Sequence, residues 1–363
     1  MATLADVHDG LEGVLAFATE IAEPDRGGGS LRYRGIDVEQ LVGTVSFDAV
    51  WGLLVDDHLD EPLQPADPMP LPLRSGDVRV DLQVAIAALA ASWELAPLVD
   101  LGADDVRGQL ARISAQAIDF VALSARGGEA TPVPEAVIAN GRTLAERLLL
   151  RWRGEADPQQ AAAIDAYWVT AAEHGMNAST FTARVIASTG ADAAAAISGA
   201  VGALSGPLHG GAPARVLQML DAVERSGDPD AYVAGLLDRG ERIMGFGHRV
   251  YRAEDPRARA LRRIAEQLGS PRLQVAAELE RAALSALAQR KPDRVLATNV
   301  EFWSAVILDH ARVPQTLFTP LFACARMAGW SAHILEQRRS GRLVRPAALY
   351  VGEPERPLEV TLS

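Results

Sequence analysis

Apolar residues along this chain recur at intervals of three and four rather than alternating with polar ones. Leu261, Ile264 and Leu268 show this spacing, and a similar pattern runs from Leu236 to Ile243. This period is typical of helices with one apolar face. Alanine and leucine dominate and alternating β-branched residues are scarce, so the sequence predicts a mainly α-helical fold.

Three stretches depart from the helical period. A glycine run at 27–29 lies between the apolar segment 14–21 and residues 31–35, which predicts a short hairpin-like lead-in. Residues 59–77 and 126–134 are rich in proline with acids or glycine, and we interpret both as loops rather than domain linkers. No period of about 20 to 50 residues repeats, which argues against a solenoid.

Several helix starts can be read directly from the sequence. Asp255 is a favoured N-cap and Pro256 suits the first helical position, so a helix is predicted from there to a stop at Gly269. Pro213 opens another periodic stretch. Thr298 or Asn299 caps a third helix, with an acid in its first turn. Helix N-termini attract anions, so the loops before these helices are candidate binding sites.

Length and composition narrow the class of protein. A chain of 363 residues exceeds what one core usually organises, which predicts two domains. The net charge of -12 argues against nonspecific nucleic-acid binding. Cys324 is the single cysteine, which excludes an intrachain disulfide or a cysteine-rich metal site and fits a reducing cytoplasm. The N-terminus lacks a signal-peptide pattern and no segment is apolar over about 18 residues, so we expect a soluble cytoplasmic protein without a membrane partner.

Two of the seven histidines lie in glycine-rich segments. His209 lies in the segment 205–211, Ser-Gly-Pro-Leu-His-Gly-Gly, and His248 ends the segment 245–248, Gly-Phe-Gly-His. Glycine lets the backbone approach a ligand closely, although each histidine could also be a simple turn residue. Neither loop matches a nucleotide-binding fingerprint, and no Walker pattern occurs.

Three charged residues have both a functional and an ordinary explanation. Arg326 lies in an apolar helical run, where its guanidinium needs an anion, a structural ion pair or a path to solvent. Arg257 falls in a first helical turn, where a cation opposes the helix dipole and a carboxylate ligand would resolve the conflict. Glu301 also falls in a first turn, where an acid can simply stabilise the helix.

Taken together, five segments resemble the citrate synthase family, in the family's order. They are Glu-His-Gly-Met-Asn-Ala-Ser-Thr at 173–180, Gly-Pro-Leu-His-Gly-Gly at 206–211, Gly-Phe-Gly-His at 245–248 leading to Asp-Pro-Arg at 255–257, Asn-Val-Glu-Phe at 299–302, and Arg-Leu-Val-Arg-Pro at 342–346. The resemblance runs from about Gly10 to Gly352. It is strongest to the short dimeric bacterial members, particularly the second citrate synthase of actinobacteria.

The resemblance implies the catalytic roles. Glu301 would remove a methyl proton from acetyl-CoA while His209 donates a hydrogen bond to the thioester oxygen. His248 would polarise the ketone of oxaloacetate, and citryl-CoA is then hydrolysed to citrate and CoA. The reaction would be the acyl-transfer step that feeds the tricarboxylic acid cycle.

The resemblance also implies the binding residues. His174, Arg257 and Arg326 would hold oxaloacetate, with Arg345 reaching in from the neighbouring subunit of a homodimer. CoA would lie along Ile243, Met244, Gly245, Phe246 and Gly247, with Arg252 near its phosphates. No metal and no permanently bound cofactor is expected, since CoA enters as a co-substrate.

One position departs from the family pattern. Most members have aspartate where this chain has Glu301, followed by Phe-Tyr-Ser-Gly rather than Phe302, Trp303, Ser304 and Ala305. An extra methylene moves the carboxylate, and a misplacement of about 1 Å can cost roughly 10²-fold in rate. Since neighbours change in the same turn, we expect the surrounding helix to compensate.

These expectations define an all-α, two-domain fold with the active site in the cleft between a large domain (1–210 and 313–363) and a smaller one (211–312). The nearest alternative is a 2-methylcitrate synthase acting on propionyl-CoA, because one methylene is worth only about 1–3 kcal/mol in an apolar pocket. A non-catalytic homologue that binds oxaloacetate or CoA, a purely structural helical protein and a histidine–carboxylate metal site are the remaining alternatives, each less well supported by the motifs.

Overall fold

The computed structural model describes residues 3–356 apart from 12, 26, 28, 210–212, 248–250, 252, 253, 294 and 295. Helices dominate it, which confirms the predicted fold class. The helices are α1 (Val38–Leu41), α2 (Phe47–Asp56), α3 (Val78–Ser92), α4 (Ala103–Arg126), α5 (Glu135–Ile138), α6 (Leu144–Arg153), α7 (Pro158–Ala171), α8 (Ala178–Ser188), α9 (Ala193–Leu204), α10 (Pro213–Ser226), α11 (Pro229–Asp238), α12 (Pro256–Gln267), α13 (Leu273–Arg290), α14 (Val300–His310) and α15 (Phe318–Ser340). Short 3-10 turns occur at Leu4–Asp6, Asp9–Leu11, Leu98–Asp100 and Gln315–Leu317.

The predicted lead-in is a small antiparallel sheet. Its strands are β1 (Ala22–Pro24), β2 (Leu31–Tyr33) and β3 (Ile36–Asp37), in the order β1-β2-β3. The first strand begins just after the apolar run at 14–21. The Tyr33 hydroxyl reaches the carbonyl of Glu173 at 3.0 Å, so the sheet is fastened to the end of α7.

The core is built around α15, most of whose side chains are buried. This helix contacts α2, α4, α7, α8 and α9, while α14 contacts α7, α10 and α12. Buried tryptophans pack between these helices, and each uses its indole N–H: Trp51 donates to Ser114, Trp168 to the Leu321 carbonyl, Trp303 to Glu280 and Trp330 to Ser179. These bonds fix the packing because a buried donor left unpaired is costly.

The predicted helix starts are confirmed. The Asp255 carboxylate accepts from the Arg257 amide and Pro256 is the first residue of α12. Asn299, rather than Thr298, caps α14 by accepting from the Glu301 amide at 3.0 Å. The predicted loop at 59–77 contains no helix or strand. The loop predicted at 126–134 begins one residue later, because Arg126 is the last residue of α4.

Candidate active site

The end of α7 meets the middle of α15 at two backbone carbonyls. Ala171 accepts from Arg326 Nε at 2.6 Å, and Ala172 accepts from the Gly329 amide at 3.2 Å. A Cβ on Gly329 would lie 2.7 Å from the Ala172 carbonyl oxygen, so glycine permits this approach. The contact places the Arg326 guanidinium inside the protein, beside residues 171–174.

Arg326 is a buried cation with an unused donor. It is 3% exposed, and Nη1 has no hydrogen-bond partner among the described residues. Burial lowers the pKa of Arg326, with Glu173 opposing that effect and the nearby Arg257 reinforcing it. No carboxylate in the described part of the chain is hydrogen-bonded to Nη1 of Arg326. This nitrogen can therefore bind an anion that enters from outside the protein.

His174 follows α7 and faces Tyr251. Its Nε2 lies 3.0 Å from the Tyr251 hydroxyl, and the two rings meet edge to face with centroids 5.3 Å apart. His174 is 9% exposed. Burial raises the pKa of Tyr251, so this phenol stays protonated and keeps its hydrogen-bonding capacity.

His209 rests on the start of α8. Its Nε2 lies 2.9 Å from the Ser179 hydroxyl, which donates to Asn177 Oδ1 at 2.9 Å and accepts from Trp330 Nε1 at 3.2 Å. Burial, helped by the charge of Arg326, lowers the pKa of His209 to about 4. The imidazole is therefore neutral at physiological pH. The contact between Nε2 and Ser179 fixes the orientation of the ring, and with it the direction in which Nδ1 points.

Asp255 joins the first turns of α12 and α14. Its Oδ1 accepts from Arg257 Nε at 3.0 Å, and its Oδ2 accepts from Arg257 Nη2 at 2.8 Å and from the Val300 amide at 3.0 Å. Burial opposes charge on Arg257, yet Asp255 raises the pKa of Arg257 above its ordinary value. The conflict between Arg257 and the helix dipole is thus resolved by Asp255, within the chain, rather than by a ligand alone.

Glu301 lies one residue beyond that junction. Burial raises the pKa of its carboxyl to about 7, with Arg257 pulling it down and Asp255 pushing it up. A carboxyl with a pKa near 7 is poised to exchange a proton at physiological pH. If Glu301 only stabilised the dipole of α14, its carboxyl group would not need to be buried.

The segment 243–247 is pinned to the residues before α14. The Gly245 carbonyl accepts from the Asn299 amide at 2.9 Å, and the Gly247 carbonyl accepts from Asn299 Nδ2 at 2.9 Å. Gly245 has φ +85°, and a Cβ there would lie 2.8 Å from that of Phe302. Glycine is therefore required here both for the backbone conformation and for the close approach to α14.

Most of the predicted residues come together in one region. Arg257 acts electrostatically on both Arg326 and Glu301, and Arg326 acts on His209. Arg345 stands apart, exposed in the segment after α15, where the neighbouring Val344 amide donates to Ser188. His248 and Arg252 lie outside the described residues.

Sequence reasoning assigned no role to Ser179, Tyr251 or Tyr33. Ser179 belongs to a segment already singled out by its histidine, so its pairing with His209 could have been proposed. Tyr251 and Tyr33 carry no local signal, because their contacts join residues 77 and 140 positions apart. The sequence predicts Asp255 as a helix cap and as part of a family motif, but not as the residue that binds Arg257.

Two kinds of feature are absent from the part of the chain that the structure describes. No group of three or more histidine, cysteine, aspartate or glutamate side chains there could hold a metal ion. No helix among those residues is long and apolar enough to cross a membrane.

Comparison with known proteins relates the whole chain to one family. The sequence profile described as "Citrate synthase, C-terminal domain" matches residues 10–347. A Mycobacterium tuberculosis protein named "Putative citrate synthase 2" is 62% identical over 351 residues, covering 96% of this chain and 94% of the relative. The citrate synthase of Haloferax volcanii is 36% identical over 376 residues, covering 96% and 97%.

Solved structures give the same relationship. The citrate synthase of Thermoplasma acidophilum, in a ternary complex with carboxymethyl coenzyme A and oxaloacetate, aligns with a TM-score of 0.83 at 28% identity and covers 98% of each chain. The Thermotoga maritima citrate synthase aligns with a TM-score of 0.77 at 28% identity, covering 97% of this chain and 98% of its own.

Proposed function

Since this chain belongs to the citrate synthase family, we propose that it condenses acetyl-CoA with oxaloacetate and hydrolyses citryl-CoA to citrate and CoA. The observation that carries the proposal is the grouping of an unsatisfied buried arginine, Arg326, with a neutral histidine and a carboxyl of raised pKa. The arginine can bind an anion, the histidine can donate a hydrogen bond to a carbonyl oxygen, and the carboxyl group can remove a proton from an acidic C–H. The names of the relatives do not favour the propionyl-CoA alternative.

Oxaloacetate would bind through its carboxylates to Arg326 and Arg257, with His174 beside them. Arg326 Nη1, which has no hydrogen-bond partner among the described residues, would gain a charge-assisted hydrogen bond when an anion enters. Arg257 is already oriented by Asp255, so contact with a carboxylate of the substrate would cost it little conformational entropy.

Glu301 would take a proton from the methyl group of acetyl-CoA. As the C–H bond breaks, its electrons form the enol, whose oxygen accepts a hydrogen bond from His209. The Ser179 hydroxyl has one proton, so its direction sets the tautomer of neutral His209. The structure has that proton donated to Asn177 Oδ1; when it turns to Nε2 instead, the ring proton is on Nδ1 and can be donated to the thioester oxygen.

The enol carbon would then attack the ketone carbon of oxaloacetate, and the ketone oxygen would take up a proton. The family motif assigns that donor role to His248. Water finally cleaves the thioester of citryl-CoA, so the balanced reaction consumes one water and releases citrate and CoA. Exclusion of solvent from the closed cleft would protect the enol until attack.

CoA would lie along 243–247, with Arg252 near its phosphates. The pinning of this segment by Asn299 supports the assignment, because the same residue caps the helix that carries Glu301. Binding of the thioester and placement of the base would therefore depend on one local structure.

We also propose a homodimer in which Arg345 completes the neighbour's site. Arg345 is exposed within one protomer, in contrast to the buried Arg257 and Arg326. Mixed dimers of Arg345→Ala and His248→Ala subunits test this, since one of their two sites would be intact. Absence of any recovered activity would contradict the shared site.

The cleft would lie between a large domain of residues 1–210 and 313–363 and a small domain of 211–312. Closure on oxaloacetate before acetyl-CoA binds predicts ordered steady-state kinetics. Random addition of the two substrates would contradict this order.

The deciding experiment compares kcat/KM for acetyl-CoA and propionyl-CoA with oxaloacetate, measuring both CoA release and the acid product. We expect a preference for acetyl-CoA. A preference for propionyl-CoA would identify a 2-methylcitrate synthase, and tight oxaloacetate binding without turnover would identify a non-catalytic homologue.

Glu301→Asp tests the departure from the family pattern. If the helix compensates for the longer side chain, shortening it will lower turnover. A large gain in turnover would instead mean that glutamate is poorly adapted to this site.

A further inference from the structure

A second buried carboxylate lies behind the proposed catalytic base. Glu280, in the middle of α13, is 5% exposed and accepts from Trp303 Nε1 at 3.0 Å and from Arg262 Nη1 at 3.0 Å. The Arg262 guanidinium also lies over the Trp303 ring, 5.5 Å from its centroid. These three side chains, which we call the Glu280 triad, connect α12, α13 and α14.

The Glu280 triad acts on the face of α14 opposite the site. Trp303 follows Glu301 by two residues, which is about 200° around a helix. Asp255 ties the first turns of α12 and α14 together on the site side, and Glu280 ties the same two helices together from behind. The rotation of α14 about its axis is therefore fixed at two points.

The connection continues to the predicted CoA segment. The Trp303 ring contacts that of Phe302 edge to face at 5.6 Å, and Phe302 lies 5.3 Å from Phe246. A shift of Trp303 would therefore move the helix that carries Glu301 and the residues packed against 243–247 together.

Stability alone does not account for this arrangement. Desolvating a carboxylate is costly, and replacing a buried ion pair with apolar residues of similar volume is often neutral or stabilising. The Glu280 carboxylate and its two directed hydrogen bonds define the orientation of the helices, which apolar packing alone would not do.

We propose that Glu280, acting through Trp303 and Arg262, is a positioning residue that holds the Glu301 carboxylate in its reactive orientation. The inference rests on the proposed function, in which Glu301 is the base. It extends beyond that function because no catalytic or substrate-binding role has been assigned to the three members of the Glu280 triad.

The test uses Trp303→Phe, which removes one N–H, and Glu280→Gln, which removes the charge. A displaced first turn should lower kcat for citrate formation by about 5- to 50-fold, since about 1 Å of misplacement can cost roughly 10²-fold. KM for oxaloacetate should stay within about twofold. The apparent pKa in the pH profile of kcat/KM should fall, because burial is what raises the pKa of Glu301.

Trp51→Phe is the matched control. Trp51 is fully buried and donates one hydrogen bond to Ser114 at 3.1 Å, between α2 and α4. It should lose a similar amount of thermal stability but keep kcat and the pH profile. Equal kinetic behaviour of Trp51→Phe and Trp303→Phe would overturn the proposal.

The pH profile separates position from charge. Among the described residues, the groups that act electrostatically on or with Glu301 are Arg257, Asp255 and Tyr167, and all remain in both variants. Positioning predicts the same direction of shift in Trp303→Phe and Glu280→Gln. A shift confined to Glu280→Gln would assign the effect to lost charge and contradict the positioning role.

Arg262→Met is a third test of the proposal, to be used if the two buried variants do not fold. It should fold more readily than they do, because the Arg262 side chain is 45% exposed. We expect a fall in kcat of about two- to fivefold, in line with a smaller displacement. An unchanged kcat and pH profile would overturn the proposal. Retained turnover in Glu301→Gln would refute the proposed base itself, which distinguishes that failure from failure of the Glu280 triad.

Discussion

The two buried arginines of the candidate site are held in opposite ways. Arg257 is bound on two nitrogens by Asp255, a carboxylate two residues away. Arg326 donates to a backbone carbonyl, and its Nη1 has no partner among the described residues. One cation is neutralised within the protein, and the other has capacity left for an anion.

This difference separates a structural role from a binding role. The Asp255–Arg257 pair also binds the Val300 amide, so it connects α12 with the helix that carries Glu301. Within the described part of the chain, Arg326 makes no such connection between helix N-termini. We therefore expect the two arginines to contribute similarly to oxaloacetate binding and very differently to stability.

The largest expected effect comes from removing each arginine in turn. Arg257→Met should lower the free energy of unfolding by about 3–5 kcal/mol, because it leaves the Asp255 carboxylate buried without its partner. Arg326→Met should cost at least about 2 kcal/mol less, since it removes a cation that is itself poorly compensated. Denaturant unfolding measures both, with Arg281→Met on the exposed face of α13 as the control.

Calorimetric titration with oxaloacetate completes that comparison. Both variants that fold should bind it at least about 30-fold more weakly, as expected when one partner of a buried charge pair is lost. Equal destabilisation by the two substitutions would contradict the division of roles between them.

Glu301→Gln should stabilise the protein at pH 8. The folded-state pKa of about 7 is above the ordinary 4.5, so the folded state binds more protons than the unfolded state between those values, and stability is lost as pH rises through that range. Removing the charge should recover up to about 3 kcal/mol at pH 8 and little below pH 4.5. Thermal unfolding at both pH values measures this, and a stability change independent of pH would contradict it.

Gly245→Ala should weaken the link between the predicted CoA segment and α14. The new Cβ would meet Phe302 at 2.8 Å in addition to the strain at φ +85°, so we expect a loss of about 2–3 kcal/mol and a higher KM for acetyl-CoA. Gly240→Ala is the control, because φ there is +71° with no atom within 4 Å of the added Cβ. If both substitutions cost the same, the contact with Phe302 is unimportant.

The smallest expected effect is in the pH profile of kcat/KM for acetyl-CoA. Because Glu301 must be deprotonated to act as a base, the value should rise about tenfold per pH unit below about 7 and level off above it. The His209 pKa of about 4 predicts no separate step from that residue near 6.5. A flat profile between pH 5.5 and 8 would contradict the raised pKa of the base.

Local signals made much of the fold predictable. Asp255, Pro256 and Asn299 mark helix starts because capping depends on neighbouring residues, and the helical period reflects one-sided burial. The motifs around His209 and Glu301 also singled out residues of the candidate site, whose roles stay predictions. Long-range pairs such as His174 with Tyr251 leave no local pattern, so the sequence could not reveal them.

The role of Asp255 shows where sequence reasoning stopped short. Its position before Pro256 explains it fully as a cap, so nothing prompted a second function. Only the geometry shows that both carboxylate oxygens also bind Arg257. A cation such as Arg257 in the first turn of a helix opposes the helix dipole, and this conflict did indicate an anionic partner. The partner in the structure is Asp255, inside the chain, and a bound carboxylate would be a second one.

The most direct test of the account is the rate of citrate and CoA formation from acetyl-CoA and oxaloacetate by the wild-type protein and by Glu301→Gln. We predict measurable turnover in the wild type and a kcat lower by about 10²–10⁴-fold in the variant, with oxaloacetate affinity retained. Turnover by Glu301→Gln within about tenfold of the wild type would contradict the central claim that this carboxylate is the base.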